Sequence, residues 1–247
     1  MRKLSNYIYP DWPAPANIRA VTTTRQGGVS ERMYQGFNLA LHVEDDPQHV
    51  MQNRQILVQQ LDLPSEPVWL NQVHSNRVID AANTSPLPSA DAAYALDSHI
   101  VCCVMTADCL PVLICNKQGT KVAAAHAGWR GLLDGVIEAS ITCLEEPAEN
   151  ILVWLGPAIG PGAFEVGDEV RAGFEARQAE ASVAFTPARP GHWLADIYQL
   201  ARIRLKSIGV TAVYGGEFCS VTDAKRFYSY RRDGQTGRMA SLIWSET

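Results

Sequence analysis

Apolar residues in this chain fall into two patterns. One is the short unbroken run bounded by turn residues, which predicts buried strands. The other is the i, i+3/i+4 stripe of an amphipathic helix. The segment HVMQNRQILVQQLDL (49–63) carries a stripe of Val50, Ile56, Leu57 and Leu61 behind Pro47, and it predicts a helix. PVWLNQVHSNRVIDA (67–81) predicts two short strands with a polar break at 74–76. HIVCCVMTADCLPVLICN (99–116) predicts two apolar strands separated by TADC, with Pro111 suited only to the start of the second.

A strand followed by a helix is expected over 120–144. Leu132, Leu133, Val136, Ile137, Ser140, Ile141 and Leu144 share one helical face there. Residues 151–167 predict a buried strand running into a glycine- and proline-rich loop. Helices are expected at 168–178 and 195–209, the second closed by Gly209. The segment 227–244 predicts a terminal β-hairpin turning near Asp233-Gly234. Proline-rich patches at 10–15 and 86–88 read as irregular connections, and no internal repeat is present. Strands and helices mix without strict alternation, so the class is α/β or α+β, in one compact domain over residues 1–247.

Composition narrows the function. The chain has 247 residues, 47% hydrophobic, with a formal charge of −5. It lacks the basic excess of a nucleic-acid binder, so no nucleic-acid partner is expected. No apolar run approaches the ~18 residues of a membrane span. The N-terminus, MRKLSNYIYPDWPAP, has no apolar core of a secretory signal. Six cysteines without an export signal read as reduced thiols of a cytoplasmic protein. The apolar content is compatible with a monomer.

The candidate chemistry lies at strand ends. His126 falls where the strand VAAAHA hands over to a helix at GWRG. Ligands gather at such strand ends in α/β sheets. Gly128 allows close approach of a ligand to the backbone, and Arg130 suits an anion such as phosphate. The plainer reading is a packed histidine and a solvated arginine. Cys109 sits in the TADC turn, as nucleophile, metal ligand or inert thiol. Asp108 beside it is a proton donor, an orienting group or a turn stabiliser. His74 interrupts an apolar pattern at NQVH. Cys102, Cys103, Cys115 and Cys143 read as inert, and Cys219 stays open. Together, His74, Cys109 and His126 make a Cys/His₂ set of the kind that holds catalytic zinc with one position free. Copper is also compatible with these donors. Their spacings of 35 and 17 residues match no short zinc motif.

In order, NQVH (71–74), TADCLPVLI (106–114), AAHAGWRG (124–131) and LGPAIGPGAFEVG (155–167) resemble the bacterial laccase-domain family. Its members were formerly labelled polyphenol oxidases and are described as zinc-dependent purine nucleoside phosphorylases. TTRQGGVS (23–30), FNLALHVEDDP (37–47) and YSYRRDGQTGRMASLIW (228–244) extend the likeness over nearly the whole chain. One departure is that Ala40 and Glu44 stand where the family usually has glycines. The resemblance implies an α/β sandwich of two mixed sheets covered by helices. It implies zinc on His74, Cys109 and His126. It also implies phosphorolysis of adenosine, inosine, guanosine and methylthioadenosine, and hydrolytic deamination of adenosine. A second role in relatives is removal of a wrong amino acid from nucleotide-linked muramic acid, a peptidoglycan precursor.

Zinc that activates water suits deamination. Phosphorolysis further needs a phosphate site, for which Gly128, Arg130 and Arg25 beside Gly27-Gly28 are candidates. Asp108 or a zinc-bound water would protonate the leaving base. Asn38 and His42 are further polar candidates for substrate binding. A copper polyphenol oxidase is the weaker rival: six histidines without a His-x-His pair do not build a multicopper cluster. A single blue-copper site with Met105 as axial ligand would need an all-β scaffold. A cysteine hydrolase with Cys109 as nucleophile, and a structural zinc module closed by a fourth ligand, are the other rivals.

Overall fold

A computed structural model describes residues 4–247. Three sheets form. Six strands pair in the order Val213–Gly215, Ile151–Leu155, Leu110–Asn116, Val122–Ala127, Ala92–Ala95, Val78–Asp80. The outermost pair on each side is parallel and the rest are antiparallel, so this sheet is mixed. Four strands pair in the order Tyr7–Ile8, Ile18–Thr23, Met239–Ser245, Cys102–Thr106, all antiparallel. A small third sheet joins Phe185–Pro187, His192–Ala195 and Glu165–Gly167. The expected architecture of two mixed sheets therefore needs correction: one main sheet is mixed, the other is purely antiparallel, and a third is added.

The period-2 alternation of strands explains the layering. Leu113, Cys115, Ala124 and Trp154 point from the six-stranded sheet onto Ile18, Cys102, Val104 and Ile243 of the four-stranded one. The alternate residues Val112, Ile114, Ala125 and Val153 point the other way, onto Leu132, Val136, Ile137, Leu200 and Leu205 of the covering helices. On the far side, Val21, Cys103, Leu242 and Trp244 pack against Leu57 and Leu61 of the helix Pro47–Leu61. The layers are thus helix, sheet, sheet, helices, in one compact α+β unit.

Several local expectations hold. Asp46 accepts from Gln48 N at 2.8 Å and caps the helix Pro47–Leu61, with Pro47 as its first residue. Helices Asp168–Arg177 and Ile197–Ser207 lie where predicted. The six cysteines are free, and burial pushes the Cys102 and Cys103 thiols far up. No helix among the described residues is long and apolar enough to cross a membrane.

Three expectations fail. No terminal hairpin forms: Tyr230–Asp233 is a helical turn capped by the Ser229 hydroxyl, and Gly234 ends it. The strand Met239–Ser245 pairs instead along both edges with two distant strands, and its faces are buried against the helix Pro47–Leu61 on one side and the six-stranded sheet on the other. Of the strands expected over 67–81, only Val78–Asp80 forms; Val68 and Asn71 make isolated bridges. His74 has a left-handed φ of 61°, which a continuous strand does not tolerate. The helix after His126 is cut by Gly135 (φ 93°) into Trp129–Asp134 and Val136–Thr142.

Leu113 is wholly buried between the two main sheets. Leu113→Ala is expected to lower the unfolding free energy by about 2–5 kcal/mol, read from the urea midpoint.

Candidate metal centre and pocket

The two strands flanking TADC belong to different sheets. Cys102–Thr106 lies in the four-stranded sheet and Leu110–Asn116 in the six-stranded one. Residues 107–109 make the crossing, and Asp108 takes it at a left-handed φ of 94°. Its carboxylate is pinned on both sides: Ser220 Oγ donates to Oδ1 and Arg231 N to Oδ2, both at 2.6 Å. Cys109 then opens onto the neighbouring strand. There Leu110 pairs with Ala127 and Pro111 with His126, so the thiol and the imidazole lie near one another at the ends of the two central strands.

His74 arrives from an irregular segment. Asp91, fully buried, accepts from the backbone N–H groups of His74 (2.9 Å) and Ser75 (2.6 Å) and from the Ser75 hydroxyl (2.7 Å). It also bonds His126 Nδ1 at 2.8 Å. The His74 and His126 rings meet edge to face at 4.9 Å, and Cys109 Sγ lies 3.9 Å from His74 Nε2. Donor atoms of His74, Cys109 and His126 all lie within 4.8 Å of one another.

The charges are mutually dependent. Burial pushes the Cys109 thiol up, but the charge and hydrogen bonds of His126 and His74 outweigh it and hold it at about 6. Burial disfavours the His126 imidazolium, yet the Cys109 thiolate and Asp91 raise its pKa to about 9. Asp91 falls to about 2 despite burial, through its bonds from His126 and Ser75. A thiolate and two imidazoles converging this closely fit zinc or copper, both of which favour sulfur and nitrogen donors. No fourth His, Cys, Asp or Glu among the described residues joins the three. Cys219, the residue left open, instead accepts from Gly160 N at 3.3 Å.

All three donors line a cavity of about 520 Å³, within the usual range of small-molecule sites. Arg130 and His42 line it as well. Arg130 stacks on Trp129 and has no hydrogen bond or ion pair among the described residues. Partial desolvation and the Arg238 charge lower the His42 pKa. Gly128 leaves room for two of the donors: a Cβ there would stand 2.9 Å from His74 Cδ2 and 3.0 Å from Cys109 Sγ.

Two expected substrate residues lie outside the cavity wall. Arg25 donates to Ala224 O at 3.3 Å and stacks on Tyr228. Asn38 is buried and binds Asp45, Ala40 and Arg238 N, ordering its loop. In that loop Glu44 takes the left-handed conformation (φ 68°) that suits glycine, while Ala40 is extended. Sequence reading missed Asp91, Tyr230, Arg231 and Arg238, the last three on the cavity wall. Asp91 left one signal, a lone acid inside the apolar run SADAAYA. The other three were read into a hairpin.

The two-sheet sandwich and its open three-donor pocket define an α+β protein with a small-molecule-sized cavity beside a metal-capable site. The chain belongs to the multi-copper polyphenol oxidoreductase laccase family, which it matches over residues 19–246. Purine nucleoside phosphorylase PA4543 of Pseudomonas aeruginosa is 54% identical over 242 residues, covering 98% of this chain and 99% of that relative. Purine nucleoside phosphorylase YfiH of Escherichia coli is also 54% identical, over 243 residues, with the same coverage. The crystal structure of a Neisseria meningitidis protein superposes with a TM-score of 0.96 at 50% identity, covering 98% of this chain and all of that one.

Because the space at Gly128 is taken by two metal donors, Gly128→Ala is expected to displace them. Metal bound per chain after incubation with zinc or copper and dialysis, measured by atomic absorption, should fall well below that of the unsubstituted protein. Far-UV circular dichroism should stay unchanged.

Proposed function

We propose that the chain is a purine nucleoside phosphorylase that works with zinc held by His74, Cys109 and His126. In this reading it cleaves adenosine, inosine, guanosine and methylthioadenosine with phosphate and also deaminates adenosine, as a cytoplasmic monomer. The observation that carries the reading is that three metal donors stand in the wall of a nucleoside-sized cavity. The names of close relatives support it.

The chain's own residues divide the work. Tyr230, Trp129 and Phe164 offer aromatic surface to a purine ring. Arg130, unengaged by any acceptor, is the first choice for phosphate. Arg231 already donates to the carbonyls of Ala163 and Glu165, so its guanidinium shapes the wall more than it binds. Both oxygens of Asp108 are engaged, which favours its part in holding the turn over proton donation to the leaving base. Bound zinc supplies Lewis-acid chemistry.

The test is a product assay on adenosine with and without phosphate, alongside Cys109→Ala with bound metal quantified. Phosphate-dependent adenine or phosphate-independent inosine, lost with the metal in the variant, is expected. No turnover by zinc-loaded protein would move the reading to the peptidoglycan-precursor amide hydrolase. An intense thiolate-to-copper colour in the purified protein would point to copper instead.

Arg130→Ala is expected to raise the phosphate KM far more than it slows deamination. Equal loss of both activities would make Arg130 a structural residue.

A further inference from the structure

The metal reading accounts for the three donors but not for the residue that brings them together. Asp91 directly precedes the strand Ala92–Ala95, and Ala92 pairs with Ala125. This register sets residue 91 beside His126, and His126 N donates to Asp91 O at 2.7 Å. The side chain then reaches both histidines. Oδ1 accepts from His74 N at 2.9 Å and contacts His126 Nδ1 at 2.8 Å. Oδ2 accepts from Ser75 N at 2.6 Å, Ser75 Oγ at 2.7 Å and Val73 N at 3.3 Å.

A carboxylate only accepts, so the Nδ1 facing it carries the proton. That leaves Nε2 as the ring nitrogen with a lone pair to give a metal. The other arm holds the 73–75 turn, in which His74 sits at φ 61°, a conformation uncommon for residues other than glycine. One buried side chain therefore sets the ring of one donor and the backbone of the other.

We propose that Asp91 is the positioning residue of the metal site, fixing the Nδ1–H form of His126 and the left-handed turn of His74 through a single carboxylate. The inference rests on the metal reading above. An asparagine at 91 would turn an N–H₂ toward one of these donors, whichever way its amide faced. Either the His74–Ser75 turn loses its acceptor, or His126 must move its proton to Nε2 and withdraw from the metal.

The test measures zinc affinity, not turnover. In competition with a chromophoric chelator, Asp91→Asn is expected to raise the zinc Kd about 10–100-fold, the usual cost of losing such a partner. Far-UV circular dichroism should be unchanged. Unchanged affinity in folded Asp91→Asn protein overturns the proposal. Ser75→Ala removes one donor to Oδ2 and is the second variant, should the first not fold: a smaller rise in Kd supports the proposal and none overturns it. In ¹⁵N-edited NMR of the unsubstituted protein well above pH 9, where the His126 ring is neutral, its one proton is expected on Nδ1 and none on Nε2; a proton on Nε2 instead overturns the proposal. This last readout needs no metal. A chain that takes up no zinc would thus defeat the metal reading, while the His126 proton still decides the role of Asp91.

Discussion

Three residues carry the chain from one sheet into the other, and the site is built on that corner. Thr106 ends a strand of the four-stranded sheet, and Leu110 begins a strand at the centre of the six-stranded one. A crossing this short forces backbone into an unfavourable region, and Asp108 bears it at φ 94°. The structure over-determines the strained residue through its carboxylate, which ties the corner to Ser220 and Arg231. The same pins draw the C-terminal segment against the cavity. Once the corner is fixed, antiparallel register does the rest, since pairing Leu110 with Ala127 sets Cys109 across from Gly128, two residues from His126 and on the same face of the sheet.

Electrostatics then make the three donors a unit. A buried thiol alone resists ionisation, as Cys102 and Cys103 show. Cys109 departs from them because an imidazole stands beside it, and that imidazole is itself supported by Asp91. The chain of dependence runs from carboxylate to imidazole to thiolate. It resembles the outer support that metal-binding histidines commonly have. The absence of side-chain bulk at Gly128 matters equally, because the donors converge over its backbone.

Much of this was legible in the sequence, for identifiable reasons. His126 ends a strand whose apolar run is unmistakable, and Cys109 interrupts another, so both stand out as chemistry at strand ends. Fold class followed from the mix of periodicities. What stayed hidden was long-range. Asp91 acts across 35 residues on His126, and its one local signal, an acid inside an apolar run, does not say which partner it has. The terminal segment looked like a hairpin because alternation and a turn signal were both present. Yet its strand is completed by residues 18–22 and 102–106, an outcome of tertiary pairing that local pattern does not encode. Arg25 and Asn38 sat in glycine-rich and polar motifs that suggested ligands. Their hydrogen bonds go instead to the protein's own loops.

The family's description and the chain's inventory pull apart in an instructive way. A multicopper cluster needs several histidine-rich sites close together. This chain has six histidines, and the described residues contain a single metal-capable group, which uses two of them. The remaining donor of that group is one thiolate, and all three donors line the cavity. One metal ion with a free position polarises or activates what lies beside it, whereas electron relay between coppers needs more than one centre. The cavity around that face is lined by arginine and aromatic side chains, which suit an anion and a flat ring. The family's sheet sandwich holds the donors, but the chemistry open to this chain is set by how few donors there are and by what surrounds them.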